Sequence, residues 1–335
     1  MTIGSYLSAV SATEIFMMLR GFVPAVMIVV IGVIIGRWDA SRHQRTLIKL
    51  IDFIFLPCLT FSAIHKHSFD LKELLQIGSA VTVMVCLLSI ISLLVMRGEP
   101  GWHKSNLVAA VFMSSGTLLL PLAYALFGSE GLAKALYFHL FVLFLYHTLG
   151  TYLAEGRASL VEFFKIPSLY AALLGVAAAA SPLSMPENLQ EFAWLSEKGI
   201  DITGLGALPL LLINFGYPLG LLRFSTLRRG LTGGLVRIVA GPLLAFLLVL
   251  SYRKTGWLSM EKGYDILTYI NLRTTEAVVV LGGAMPSSHY ALRLDPGEGL
   301  LAGDIDAGTV IVSVIGGIFT VAAVLFLITA LIFID

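Results

Sequence analysis

Long apolar stretches alternate with short polar turns along almost the whole chain. A helix that crosses the hydrocarbon layer of a membrane needs about 20 mostly apolar residues. The clearest turns between such stretches are RWDASRHQR (37–45), RGEPGWHK (97–104), EGRASLVEFFK (155–165) and RFSTLRRG (223–230). The pattern predicts about ten transmembrane helices, at residues 16–36, 46–64, 73–96, 106–127, 132–153, 166–183, 202–222, 232–252, 272–292 and 308–332.

The composition is that of an integral membrane protein. Of the 335 residues, 57% are hydrophobic and 13% are charged, whereas about 25% of residues are charged in soluble domains. The mean hydropathy is +0.90. A net charge of +1 provides no basic field for nucleic acid. We therefore expect one all-α domain over residues 1–335 in a lipid bilayer, with no nucleic-acid partner. Cys58 and Cys86 show no metal-ligand spacing, so we expect no metal and no cofactor.

Two prolines lie inside predicted spans, each among small and polar residues. Pro121 lies in SSGTLLLPLAYALFG (114–128) and Pro286 in VLGGAMPSSHYAL (280–292). A proline inside a helix removes a backbone hydrogen bond and clashes with the preceding turn. In hydrocarbon the freed backbone groups must find partners inside the protein or in a wet cavity. One such break in each half of the chain is typical of transporters built from repeats with broken helices at the binding site.

The distribution of basic residues predicts the orientation of the spans. Lys and Arg are more numerous in the loops after odd-numbered spans than in those after even-numbered spans. Both termini are therefore expected on the non-cytoplasmic side. Because each half holds an odd number of spans, the repeat at about 16–153 and the repeat at about 166–332 are expected to be inverted relative to each other.

The residues around the two prolines form the predicted substrate site. A half-helix N-terminus carries a partial positive charge and free N–H groups, which attract an anion. In the alternative interpretation, the prolines are structural kinks and the hydroxyls bond back to their own helices. The candidate substrate-binding residues are Ser114, Ser115, Gly116, Thr117, Pro121, Asn214, Met285, Pro286, Ser287, Ser288 and His289.

Two acidic residues inside predicted spans are candidates for ion coupling. Asp52 lies five residues before Pro57 and is the deepest acid of the predicted spans. It could bind a cation, relay a proton or form a structural ion pair. Glu276 lies three residues after Arg273, on the same helix face, and about 15 Å from Pro286 along a helix. A local salt bridge with Arg273 near the membrane interface is favoured for Glu276 over a gating or proton role.

The histidines do not form the catalytic motif of a known membrane enzyme. PSSH (286–289) resembles the Pro-Ser-Gly-His element of membrane phosphatidic acid phosphatases, which also need an upstream Arg-Pro element and a later histidine. No histidine follows His289 and no Arg-Pro pair precedes it, so we expect no enzymatic activity. His139 and His147 in the fifth span are interpreted as packed residues with satisfied hydrogen bonds.

Four segments resemble motifs of a known family. KLIDFIFLPCLTFSAI (49–64) is similar to a pattern of Lys or Arg, apolar residues, Pro, Leu and Phe. The fourth span is similar to a small-residue cluster followed by Pro-Leu and a closing Phe-Gly. ALPLLLINFGYPLG (207–220) is similar to a Pro-Leu-apolar-Gly segment, and the ninth span to an Ala-Met-Pro segment. In order and spacing over nearly the whole chain, the sequence resembles the auxin efflux carrier family of permeases, which includes plant auxin exporters and bacterial malonate and malate carriers.

The resemblance implies ten helices in two inverted five-helix repeats, with the fourth and ninth helices crossing as broken segments. This is the fold type of sodium/proton antiporters. It also implies elevator-like alternating access of organic anions. The chain departs from the family where Asn often stands: Ser114 occupies the position before the fourth-span proline, and Ser287, Ser288 and His289 follow the ninth-span proline. Hydroxyl and imidazole groups can still donate hydrogen bonds to a carboxylate.

The sequence therefore predicts a secondary transporter of a small organic anion, a carboxylate, that works by elevator-type alternating access. H+ and Na+ are the candidate coupling ions. The expected location is the bacterial inner membrane, and a homodimer is the candidate assembly. The alternative within transport is a protein like the bile-acid:sodium symporters or the cation/proton antiporters. The alternative outside transport is a membrane sensor or scaffold.

Overall fold

Helices make up almost all of the described chain. The computed structural model describes residues 12–39, 44–67, 70–97, 104–180, 187–221, 230–255 and 266–288, and also residues 309, 310, 312–317, 320, 321, 323 and 324. The helices are α1 (Ala12–Asp39), α2 (Gln44–Lys66), α3 (Leu71–Met96), α4 (Lys104–Val111), α5 (115–127), α6 (129–155), α7 (Leu160–Phe164), α8 (Pro167–Ala180), α9 (Glu187–Leu221), α10 (Leu231–Thr255) and α11 (Ile266–Ala284). Residues 312–317 are also helical.

The expected all-α fold is confirmed for the described ranges, and the helices that they contain are compatible with a membrane protein. Across the described ranges there is one isolated β-bridge and no strand. Five helices in these ranges are long and apolar enough to cross a membrane, and the shorter apolar helices are Phe22–Trp38, Pro167–Ala180 and Thr274–Ala284. These long helical stretches are Gln44–Lys66, Leu71–Met96, Ser115–Ala154, Gln190–Gly220 and Leu231–Tyr252, of which Ser115–Ala154 comprises α5 and nearly all of α6.

The seventh predicted span begins earlier than the sequence indicated. We expected it to start at residue 202, but α9 is helical from Glu187. Hydropathy detects only the apolar part of a helix, and the first turns of α9 are polar. Ser62 Oγ donates to Asp201 Oδ1 at 2.6 Å, and Lys66 Nζ pairs with Asp201 and with Glu197. The polar part of α9 is therefore held against the end of α2.

Two π-helical segments precede prolines with the same spacing. Ile51–Phe55 ends two residues before Pro57, and Ser115–Leu119 ends two residues before Pro121. A proline cannot donate to the carbonyl four residues earlier and its ring clashes with that carbonyl. In both cases this carbonyl belongs to the central residue of the π-segment, where the wider turn gives the ring room. Both prolines thus remain within helices.

A sharp turn at Gly128 separates α5 from α6. Gly128 has φ 67° and ψ −154°, a conformation that glycine adopts without the steric penalty of a side chain. No atom lies within 4 Å of the position that a Cβ would take, so backbone conformation alone accounts for glycine here. The sequence predicted the fourth span to end at residue 127, and the turn confirms that boundary.

The helices pack in two groups. The first group consists of α1, α2, α8 and α9, in which α9 contacts α1 and α2, and α8 contacts α2. The second group consists of α3 to α6, α10 and α11. Contacts between the groups run from α1, α2 and α9 to α5 and α6. The parts of the chain that lie next to Pro121 and Pro286 thus belong to the same group.

Glycines bring α1 and α9 into backbone contact within the first group. A Cβ at Gly36 or at Gly216 would lie 2.1 Å from a carbonyl oxygen of the opposite helix. Gly32 and Gly36 on α1, and Gly216 and Gly220 on α9, are each four residues apart, so both helices present a small-residue face. Such close approach fixes the two helices as one rigid pair.

Candidate functional site

Two helix interruptions lie in the interior of the second group. α4 ends at Val111, and residues 112–114 are non-helical before α5 begins. α11 ends at Ala284, and residues 285–288 are also non-helical. All these residues are buried. A buried stretch of non-helical backbone must find hydrogen-bond partners elsewhere in the protein.

The two interruptions satisfy each other. Met113 and Ser287 form an antiparallel β-bridge. The N–H of Ser114 donates to the carbonyl oxygen of Pro286 at 2.8 Å. The N–H of Ser288 donates to the carbonyl oxygen of Phe112 at 2.9 Å. The two proline-containing regions that the sequence singled out therefore meet in direct backbone contact, and we call this junction the crossing.

The two prolines occupy different places relative to the crossing. Pro286 is one of its non-helical residues, as the sequence predicted. Pro121 lies seven residues after Ser114, in the first turn of the α-helical part of α5. The break expected at Pro121 therefore occurs earlier, at residues 112–114, because the π-segment before Pro121 absorbs its missing hydrogen bond.

The hydroxyls of the fourth span are buried and hydrogen-bonded. Ser114 Oγ and Thr117 Oγ1 lie 2.6 Å apart. Ser115 Oγ lies 2.9 Å from Nδ1 of His139 on α6. The Ser115 hydroxyl thus bonds to a neighbouring helix and is held beside the crossing.

His139 has a closer connection to the crossing than the sequence indicated. A Cβ at Gly116 would lie 2.7 Å from His139 Cε1, so the absence of a side chain at Gly116 leaves room for the imidazole. His139 is 1% exposed. Its Nε2 atom has no hydrogen-bond partner in the described part of the chain. The interpretation as a fully satisfied packed histidine holds for Nδ1 only.

The other candidate residues include two buried polar atoms without described partners. Ser287 and Ser288 are buried, and the N–H of Ser287 donates to Ser313 Oγ at 3.1 Å. Neither Ser287 Oγ nor Oδ1 of the buried Asn214 is hydrogen-bonded to a described residue. Asn214 lies on α9, which packs against the start of α5. His289 lies outside the described residues.

Arg237 of α10 is a buried cation between the two interruptions. It is 1% exposed. Nε donates to the carbonyl oxygen of Met285 at 3.1 Å, Nη1 donates to that of Val111 at 3.1 Å, and Nη2 donates to that of Gly283. These carbonyls lie at the C-terminal ends of α4 and α11, where the helix dipoles place negative charge.

Sequence reasoning missed Arg237 because the span at 232–252 was interpreted from its apolar residues alone. The signal was nevertheless present: a charged residue within an apolar span is a functional candidate by default. The sequence does not show which groups Arg237 contacts, because the three carbonyls belong to the ends of two other helices, α4 and α11.

A cavity of about 320 Å³ lies between α2, α6 and the segment from α7 to α8. His139, which is hydrogen-bonded to Ser115, lines this cavity. Asp52 lines another wall, and the exposed residues Glu162 and Lys165 line its outer part. Lys165 Nζ donates to Glu162 Oε1 at 2.7 Å, and this hydrogen bond lowers the pKa of Glu162. The volume falls within the range of small-molecule sites.

The two acidic candidates differ in their burial. Glu276 is buried, with 8% of its surface exposed. Asp52 is partly exposed on the π-segment of α2. Burial between helices is distinct from depth in the membrane, so the expected depths of both residues stay predictions. The side chain of Arg273 lies outside the described part. Position along a span does not predict burial, because burial depends on the helices that pack against each face.

A second buried cation, Lys134, lies on α6. Its side chain is fully buried, and Nζ lies 2.7 Å from Glu130 Oε1 and 3.2 Å from Glu73 Oε1. Thr275 Oγ1 donates to Glu73 Oε1 at 3.4 Å, and His67 Nε2 lies 3.7 Å from Glu73 Oε2. Two carboxylates offset the desolvation of one ammonium. This cluster, which connects α3, α6 and α11, was also missed from the sequence.

Comparisons with known proteins identify a family profile and two relatives. Residues 17–163 match a family profile described as "Membrane transport protein". An uncharacterized transporter of Methanothermobacter thermautotrophicus is 30% identical over 232 residues, which cover 64% of this chain and 70% of that protein. An uncharacterized transporter of Methanocaldococcus jannaschii is 24% identical over 243 residues, which cover 67% of this chain and 77% of that protein. The profile match includes Asp52, His139 and the first helix interruption.

Proposed function

The chain belongs to the auxin efflux carrier family of membrane transport proteins, and from this membership we propose that it is a secondary transporter that moves a small organic anion, a carboxylate. The family and the apolar helices identify an integral, multi-pass membrane protein.

The observation that carries the proposal is the crossing itself. Its backbone contact holds the first residue of α5 in the protein interior. The first N–H groups of a helix have no partner within that helix, and they carry partial positive charge. A carboxylate placed against Gly116 and Thr117 can accept hydrogen bonds from their N–H groups. The N–H of Ser115 donates to the carbonyl oxygen of Met113, and its hydroxyl holds the His139 imidazole beside this position. Ser287 and Ser288 supply the opposite side of the site.

The cavity beside His139 provides the route by which the anion reaches the crossing. Ser115 Oγ can donate its proton to His139 Nδ1, and the neutral imidazole then carries its own proton on Nε2. Nε2 is the atom that has no protein partner among the described residues. In this tautomer it donates to a carboxylate that arrives through the cavity, so the imidazole aids both the entry and the orientation of the substrate.

Alternating access would follow from motion of the second group against the first. The first group contains the rigid pair of α1 and α9, which suits a stationary support. The second group holds both interruptions and Arg237, so a bound anion would travel with it. We propose that the moving protein has ten transmembrane helices, arranged as two inverted repeats of five. Both termini then lie on the non-cytoplasmic side of the cell membrane.

The test begins with a thermal-shift screen of the purified protein against small mono- and dicarboxylates. A ligand that binds only the native state raises its apparent stability. The ligand that gives the largest shift is then titrated against Ser115→Ala and Ser288→Ala. Losing one hydrogen bond to a charged ligand costs about 1.5–3 kcal/mol, or roughly one to two decades in Kd.

Ser196→Ala is the matched control, because Ser196 is an exposed serine on α9 that bonds to its own helix. Its Kd should equal that of the wild type. Unchanged affinity in Ser115→Ala and Ser288→Ala would move the anion site away from the crossing. The absence of any carboxylate that stabilises the protein would count against the substrate class.

A further inference from the structure

Arg237 donates hydrogen bonds to backbone carbonyl oxygens at the crossing, a kind of group that binds the coupling ion in other transporters. In transporters with discontinuous helices, unwound carbonyls and half-helix C-terminal ends coordinate the coupling Na+ or H+. Here the corresponding oxygens are those of Val111, Gly283 and Met285, and each accepts an N–H of the guanidinium.

The surrounding backbone leaves room for the Arg237 side chain and supplies its acceptors. Gly241, one turn further along α10, leaves the necessary room: a Cβ there would lie 2.8 Å from Arg237 Nη2 and 2.5 Å from the Gly283 carbonyl oxygen. The planar guanidinium reaches carbonyls of two helices at once, which the single ammonium of lysine cannot match. Gly241 therefore provides space for the guanidinium, and three carbonyl oxygens bind it.

The crossing consequently does not fit a sodium ion. Its carbonyl oxygens already accept hydrogen bonds, and a second cation beside a buried guanidinium meets strong repulsion in a medium of low dielectric constant. In the described ranges no cluster of three or more His, Cys, Asp or Glu side chains offers a metal site elsewhere.

We propose that Arg237 is a permanent internal cation that joins the two helix interruptions, and that the crossing therefore binds no sodium ion. Arg237 is a positioning residue: it holds the C-terminal ends of α4 and α11, and through them the backbone that faces the substrate. The proposal goes beyond the assignment of an anion substrate, because it concerns the ion that accompanies transport.

The first test measures thermal unfolding of the wild-type protein in NaCl and in choline chloride at equal ionic strength. We expect the same apparent Tm across the sodium range. A sodium-dependent rise that saturates would overturn the proposal. This titration needs no substrate and no variant, so its result is independent of whether a carboxylate is found.

The second test replaces the internal cation. Arg237→Gln should lower the apparent Tm by about 5–10 °C, and NaCl but not choline chloride should recover part of that loss, because the freed carbonyls become available to a small cation. Gly241→Ala, which displaces the guanidinium, should lower the Tm in the same direction. Lys254→Gln is the control, since Lys254 is an exposed basic residue of the same helix.

A purely structural role predicts a different result. In that case Arg237→Gln is destabilised but responds equally to the two salts, and this outcome contradicts the proposal. An Arg237→Gln protein as stable as Lys254→Gln contradicts it as well. If Arg237→Gln does not fold, Arg237→Lys replaces it. This variant keeps the internal charge, so we expect a Tm between those of wild type and Gly241→Ala and no response to sodium. A Tm of Arg237→Lys that rises with sodium would overturn the proposal.

Discussion

His139 Nδ1 lies 2.9 Å from Ser115 Oγ, so the imidazole joins α6 to the first residue of α5. The same ring lines the cavity that opens beside α2 and α8. A single side chain therefore contacts both the crossing and the space through which a ligand can approach it. Substitutions that move the ring without removing it are the most direct probe of this connection.

Gly116→Ala should weaken carboxylate binding by about tenfold, because loss of one good hydrogen bond costs about 1.4 kcal/mol or more. The added methyl would lie 2.7 Å from His139 Cε1, so the ring must shift away from Ser115. The measurement is titration of the identified carboxylate against the purified variant. Gly199→Ala serves as control, since no atom lies within 4 Å of its Cβ position. Equal affinity in both variants would show that the imidazole position does not matter for binding.

Gly216→Ala should destabilise the protein by about 1–3 kcal/mol, the usual cost of overpacking. Its Cβ would lie 2.1 Å from the carbonyl oxygen of Val29, and backbone atoms cannot move aside as a flexible side chain can. Gly199→Ala on the same helix again provides the comparison, with an expected change near zero or slightly favourable. Thermal unfolding in detergent measures both. A Gly216→Ala protein as stable as Gly199→Ala would mean that α1 and α9 adjust their separation freely.

Lys134→Met should cost about 3 kcal/mol of stability, since removal of one partner leaves Glu73 and Glu130 without the buried ammonium. Lys165→Met should leave stability close to that of the wild type, because the pair of Lys165 with Glu162 is exposed. Unfolding of both variants is compared at one pH. Adding Glu73→Gln to Lys134→Met should recover part of the loss. A double variant less stable than the single variant would argue against charge as the cause.

Asp52→Asn should change the pH dependence of transport while leaving the thermal stability close to that of the wild type. Asp52 is partly exposed and lines the cavity, where its carboxylate can exchange a proton with water. Glu276→Gln should instead act mainly on stability, because Glu276 is buried. Uptake of the identified carboxylate into proteoliposomes at two pH values distinguishes the two. Identical pH profiles for Asp52→Asn and wild type would remove Asp52 from ion coupling.

The sequence predicted those parts of the molecule that depend on local chemistry. Hydropathy identified the long apolar helices of the described ranges, and the glycine at 128 agreed with the predicted end of the fourth span. Proline chemistry directed attention to the two regions that meet at the crossing. Pro121 itself lies away from the break because a π-segment accommodates it, and a π-segment has no periodicity that a hydropathy pattern can reveal.

The parts that the sequence did not predict depend on contacts between distant helices. Arg237 and Lys134 are single charges in apolar spans, and only the fold shows that one meets carbonyls and the other meets carboxylates. The burial of Glu276 likewise depends on its neighbours in space. His139 was assigned correctly as buried, but its bond to Ser115 requires the turn at Gly128 that brings α6 back along α5.

The bridge between Met113 and Ser287 also constrains the order in which the protein is made. Synthesis proceeds from the N-terminus, so α4 and α5 enter the membrane long before residue 287 leaves the ribosome. During that interval the carbonyl of Phe112 and the N–H of Ser114 lack the partners that they have in the finished fold. The first half of the chain is therefore an incomplete assembly until α11 arrives. A nascent chain truncated before residue 283 should be a preferred substrate for membrane quality-control proteases.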